Sequence, residues 1–163
     1  MARRWAVAAG LTILLSGCAG TAEPVRQLSA ACPFLASPEV NLYLDPDLIM
    51  LEQQSADDTL FGCDFKRGND TVVAFTVGEI AARGQTPTAL INSISRRARA
   101  RTTTAMQGLG DAAVYYELQR RRFAVLTVAK QAGSNIRVIS VTAQMPFSQT
   151  RLAALASIAL ARL

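Results

Sequence analysis

Three strand-like runs, Ala113 to Leu118, Phe123 to Lys130 and Ile136 to Ala143, constrain the fold more than any other feature. Only Gln119-Arg120-Arg121-Arg122 and Gln131 to Asn135 separate them. A parallel crossover needs about a dozen residues or more, so links this short make the runs antiparallel neighbours. A second pair lies upstream. Thr59 to Lys66 and Thr71 to Val77 flank the turn-forming Arg67-Gly68-Asn69-Asp70, and Val73, Phe75 and Val77 alternate onto one face. Leu48 to Glu52 is a further strand candidate, preceded by a turn at Asp45-Pro46-Asp47 and followed by a connection at Ser55 to Asp58.

Helices fill the gaps between these runs. Phe34, Leu35, Val40, Leu42 and Leu44 suggest a short one, with Ser37 as its N-cap and Pro38 at its first position. Thr86-Pro87 repeats that start signal, and Leu90, Ile91, Ile94 and Ala98 then recur at helical spacing. A third helix follows Ser148, with Phe147 and Leu152 in the two positions of a hydrophobic staple. Its stripe is Leu152, Leu155, Ala156, Ala159 and Leu163. The expected class is α+β, an antiparallel sheet of five or six strands covered by two main helices. No internal repeat or second domain is visible.

The N-terminus speaks about location. Arg3 and Arg4 precede an apolar run from Trp5 to Leu15, which ends in Leu15-Ser16-Gly17-Cys18. A charged start, a short apolar run and small residues form a secretory signal. The run is shorter than the roughly 20 apolar residues that span a bilayer. Leu15-Ser16-Gly17-Cys18 also resembles the lipobox of bacterial lipoproteins. That resemblance implies a diacylglyceryl group on the Cys18 sulfur, removal of residues 1–17, and further acylation such as palmitate. Residues 18–31, small and polar with Gly20, Pro24 and Ser29, then read as a flexible tether, and residues 32–163 as a single domain. Two or more acyl chains anchor a protein stably where one holds it marginally.

The chain has three cysteines, Cys18, Cys32 and Cys63. If Cys18 carries lipid, Cys32–Cys63 is the one intramolecular bridge left, and an exported chain is in surroundings that permit it. Such a bridge contributes about 3 kcal/mol by restricting the unfolded chain. The alternative is two free buried thiols.

The mature pattern resembles small cell-envelope lipoproteins of unknown function found especially in actinobacteria. The residues that carry this resemblance are Cys32-Pro33-Phe34-Leu35, Gly62-Cys63-Asp64-Phe65 and Gly108-Leu109-Gly110-Asp111-Ala112-Ala113. It implies an envelope location and, as in some relatives, the sheet-and-helix fold of the photosystem accessory protein PsbP. It implies no reaction. The chain departs from the pattern in having no Trp after residue 18, where Phe65 stands as the aromatic beside the second cysteine.

Chemistry is constrained chiefly by the absence of histidine. No Ser–His–Asp or Cys–His device can be built from this chain alone. The only lysines, Lys66 and Lys130, stand in no Ser-x-x-Lys pattern. Paired carboxylates, the alternative for a wall-modifying hydrolase, are available as Asp45 with Asp47, Asp57 with Asp58 and Asp64 with Asp70. All lie by turns or strand ends, where turn chemistry explains them better. Gly108-Leu109-Gly110-Asp111-Ala112-Ala113 fits Gly-x-Gly-x-x-Ala on paper, yet a strand follows it instead of the helix a dinucleotide site needs. Its glycines are expected to supply backbone angles and Asp111 to accept N–H bonds within the turn. No catalytic residue, metal or cofactor is expected.

The net charge of +5, reduced by Arg3 and Arg4 once the signal is removed, is too small to argue for nucleic acid. The arginines are nevertheless clustered: Arg96, Arg97, Arg99 and Arg101 at one helix end, and Arg120, Arg121 and Arg122 in one strand connection. If they converge, they suit anionic lipid, wall polymer or an acidic envelope protein. If not, they keep a helix end and a turn soluble. The expected function is a non-enzymatic, lipid-anchored binding or interaction module on the extracytoplasmic side of a bacterial membrane. The alternatives are the hydrolase and a structural accessory subunit of an envelope complex.

Overall fold

The computed structural model describes residues 31–44, 47–53, 59–100, 102–118 and 122–163. Cys18, the expected signal and nearly all of the expected tether lie outside them, as do Asp45, Asp57, Asp58, Arg101, Arg120 and Arg121.

Among the described residues the sheet has seven strands, more than the expected five or six. In chain order they are β1 (Ile49–Gln53), β2 (Leu60–Arg67), β3 (Asp70–Ala81), β4 (Thr103–Met106), β5 (Ala112–Leu118), β6 (Phe123–Ala132) and β7 (Asn135–Gln144). Their spatial order is β1-β2-β3-β7-β6-β5-β4. Every neighbouring pair is antiparallel. Two meanders, β1 to β3 and β4 to β7, are thus zipped together along β3 and β7. The unexpected strand is β4, which is short, on an edge and exposed in three of its four residues.

Among the described residues three helices accompany the sheet: α1 (Ser37–Tyr43), α2 (Pro87–Arg97) and α3 (Gln149–Leu160), with a 3-10 turn at Cys32–Phe34. Thr86 caps α2 as its hydroxyl accepts from the Ala89 N–H at 3.2 Å, and Ser148 caps α3 through the Arg151 N–H at 3.3 Å. Ser37 does not cap α1. It is the first helical residue, Ala36 is the N-cap, and Pro38 follows at the second position. The Glu39 carboxylate fills the cap's role, accepting from the Ala36 N–H at 2.8 Å. Ala31, expected in the tether, is fully buried at the start of the 3-10 turn.

The two sheet faces are unequal. On the first, α3 packs against β6 and β7, and α1 against α3. Phe65, Phe75, Val77, Leu126, Ile139 and Val141 meet Leu152, Leu155, Ala156 and Ala159 there in the larger core. On the second face, α2 packs chiefly on β5 and β6. Leu90 and Ile91 cover Val114, Tyr116, Val125 and Ala129 in a smaller cluster. Among the described residues, no helix lies on the β2–β3–β7 half of this second face. No described helix is long and apolar enough to cross a membrane.

Candidate functional site

The half-covered face is where the fold leaves room for a ligand. Register and side-chain alternation set its floor in rows. One row runs Gly62, Thr76, Ser140, Thr127 across β2, β3, β7 and β6. The next runs Leu60, Gly78, Val138, Ala129. Thr76, Ser140, Thr127, Gly78, Val138 and Leu60, together with Thr59, Ile80 and Ile94, surround a cavity of about 340 Å³. Ile94, on α2, makes one wall.

Gly78 shapes the opposite wall. A Cβ there would stand 3.1 Å from Leu60 Cδ1 and 3.1 Å from the Thr59 carbonyl oxygen, so glycine lets Leu60 lie close to the sheet. Leu60 and Ile80 remain 53% and 46% exposed at the rim. Ile49 and Leu51 on β1 share this face by alternation and are also exposed. The rim is therefore apolar in a place where a sheet face normally meets either a covering element or water-compatible side chains.

The floor holds polar groups of another kind. Thr127 is 1% exposed, and its Oγ1 is buried with no hydrogen-bond partner. On the row beyond Gly62, Asp64 Oδ2 accepts from the Thr71 hydroxyl at 3.3 Å, while Asp64 Oδ1 is buried without a partner. Buried polar groups are nearly always paired, so an orphan lining a cavity, as Thr127 Oγ1 does, is the atom of this face with hydrogen-bonding capacity left over.

The cysteines lie on the other side of the sheet. Cys32 in the 3-10 turn is joined to Cys63 in β2, with 5.6 Å between their Cα atoms, as the cysteine count led us to expect. Both are buried in the larger core. The bridge thus ties the N-terminal segment to the strand that carries Leu60 at the groove.

Of the predicted arginines, Arg96, Arg97 and Arg99 are exposed at the end of α2, and Arg122 is exposed just before β6. Thr103, where β4 begins, pairs with Tyr116, and Leu118 pairs with Phe123. The exit from α2 and the β5–β6 connection therefore lie at the same end of the sheet. Arg96 borders a shallow hollow of about 530 Å³ with Asn92, Ser95, Ala100 and Thr103. Its Nε is engaged with the Asn92 carbonyl oxygen at 3.2 Å.

Asp111 corrects an expectation. Its carboxylate accepts from the Gln131 N–H on β6 at 2.6 Å, not from the turn that contains it. It fastens the Gly108–Asp111 segment across to the neighbouring strand. The glycines act as expected, with φ of 75° at Gly108 and 57° at Gly110. Among the carboxylate candidates, Asp47 and Asp70 lie exposed at a turn and at the tip of the β2–β3 hairpin. No three His, Cys, Asp or Glu side chains gather as a metal site among the described residues.

Sequence reasoning allows for an amphiphile held between sheet and helix but identifies none of the residues of the groove. Its one advance signal was Thr76, Ser140 and Thr127, hydroxyl residues flanked by apolar ones inside strands. Only the register shows that these three share a row.

Comparison with family models, with curated proteins and with solved structures finds no match to this chain.

Proposed function

We propose that the chain is a lipid-anchored, extracytoplasmic binding module that holds a small amphiphile in the groove on the β2–β3–β7 half of the sheet. The supporting observation is the cavity itself, with apolar walls, a hydroxyl floor and an apolar rim. Its volume lies at the small end of the roughly 300–1,000 Å³ usual for small-molecule sites. That size suits one short chain or a small ring, not a whole phospholipid. The resemblance to envelope lipoproteins supplies the setting: an anchor at Cys18 would keep the groove near a bilayer, at high effective concentration for amphiphilic ligands.

The test is mass spectrometry of small molecules that co-purify with the full chain from detergent-solubilised membranes. The wild type should carry an amphiphile absent from Ser140→Leu, whose larger side chain fills the floor. An identical extract from both proteins, with the variant folded, would count against the groove.

A second reading is favoured by the placement of Arg96, Arg97, Arg99 and Arg122 at one end of the sheet. Together they would contact anionic headgroups beneath the domain, an attraction screened over about 8 Å at physiological salt. Replacing these four with Ala should weaken sedimentation with anionic vesicles and leave neutral vesicles unaffected.

A further inference from the structure

We infer that the groove selects an uncharged, hydroxyl-bearing amphiphile over an anionic one, with the polar end buried against Thr127 and the apolar part lying over Leu60 and Ile80. This rests on the groove reading above and adds the ligand's chemical class and orientation. Two observations carry it. Thr127 lines the cavity, is 1% exposed, and has an Oγ1 with no partner. A hydroxyl in that state can both donate and accept, so a ligand hydroxyl can pair with it in either sense. Thr76 and Ser140 extend the same row with two more groups of the same kind.

The second observation is the lining's lack of charge. No arginine, lysine or acid borders the cavity among the described residues. A carboxylate or phosphate buried there would lose its hydration without a cation to replace it, which is far costlier than burying a hydroxyl that finds a partner. The nearest charged residue on the face by register is acidic Asp64, which opposes an anion. The orientation follows from the exposure gradient, from buried Thr127 to Leu60 and Ile80 at the rim. Apolar surface left at the mouth then continues into the apolar part of the ligand.

The experiment is isothermal titration of the full chain, kept in amphipol, with 1-octanol and with octanoate at pH 8. The expected result is octanol binding at least about 10-fold tighter than octanoate. Thr127→Val, which keeps the side chain's shape, should weaken octanol about 2- to 10-fold and leave octanoate where it was. Its melting temperature should not fall, because the hydroxyl it removes is unpaired. Thr127→Ser should restore the octanol preference. Equal or tighter binding of octanoate, or unchanged octanol affinity in Thr127→Val, overturns the inference. If both probes bind equally and Ser140→Leu abolishes both, the groove stands and only its selectivity falls. If neither probe binds, the groove reading falls with it.

Discussion

At Gly110 two independent constraints meet. Its φ is 57°, and an added Cβ would stand 2.7 Å from the Ala129 carbonyl oxygen and 2.8 Å from Val128 Cγ1. Gly68, at the β2–β3 turn, shares the backbone angle with a φ of 60° but has open space around the missing Cβ. Gly68→Ala should therefore cost only the left-handed backbone penalty, about 1 kcal/mol. Gly110→Ala should cost about 2 kcal/mol or more, since strand backbone must also move. Urea unfolding of both variants checks this, and equal losses would show that the close approach to β6 is relaxed. The need for glycine at residues 108 and 110 was legible from the turn-like sequence. The close approach of Gly110 and the Gln131 partner of Asp111 were not, because those β6 partners lie about 20 residues further along the chain, beyond the whole of β5. Thr127 illustrates the same limit: a threonine in an apolar strand reads as ordinary β-former, and only the fold reveals that its hydroxyl lacks a partner.

Among the elements, those with short-range signals were legible: two hairpin-linked strand sets, and helices with a capping hydroxyl before Pro87 or Gln149. Strand β4 was not, because Thr103-Thr104-Ala105-Met106 shows no alternation and its pairing with β5 is its main support. The N-cap of α1 was misplaced by one residue, since Ser37 competes with a Glu39 that reaches back to Ala36. The element most dependent on a covalent tie is the N-terminal 3-10 turn, joined to β2 through Cys32–Cys63 at a separation of 31 residues. Replacing both cysteines with Ala should lower stability by about 3 kcal/mol, because the unfolded chain regains that loop's freedom. The wild type in reductant should show a comparable loss of denaturation midpoint, and the double variant none. A midpoint in the wild type that ignores reductant would mean the thiols are not bridged in the protein as isolated.

At the scale of the whole molecule, two ionic ties hold the ends of the fold together, and both respond to acid. Arg162, just beyond α3, donates to Glu39 on α1, with Nη1 2.8 Å from Oε2 and Nη2 closing a second contact to Oε1. Those bonds, against a smaller opposing effect of burial, hold the Glu39 carboxyl below its ordinary 4.5. Across the sheet, buried Arg137 donates to Glu79 at 2.9 Å and to the Leu163 carbonyl oxygen at 2.7 Å. Burial alone would raise Glu79, but the bonds from Asn135 and Arg137 outweigh it and its carboxyl too lies below 4.5. A depressed carboxyl contributes stability that is complete above its unfolded value and is lost as pH falls through its folded value. Stability should therefore decline from about pH 4.5 downward. Glu39→Gln/Glu79→Gln should be less stable than wild type at neutral pH and show a flatter acid limb in pH-dependent urea unfolding. Parallel acid limbs would assign the loss to other carboxylates.

The same scale includes the membrane. The first and last described residues, Ala31 and Leu163, belong to the α1–α3 side of the sheet, whereas the groove opens on the α2 side. If Cys18 carries the anchor, the chain between Cys18 and Ala31 can extend at most about 3.5 Å per residue, long enough to let either face turn toward the bilayer. Anchoring then depends on the Cys18 sulfur alone, the one thiol not committed to the bridge. Cys18→Ala, expressed in a bacterial host, should abolish incorporation of labelled palmitate and move the protein from the detergent phase to the aqueous phase, or leave an uncleaved precursor. The Cys32–Cys63 bridge should persist in the mutant, which separates loss of the anchor from loss of the fold. Label retained by Cys18→Ala would place the lipid elsewhere and remove the membrane-proximal setting on which the amphiphile reading relies.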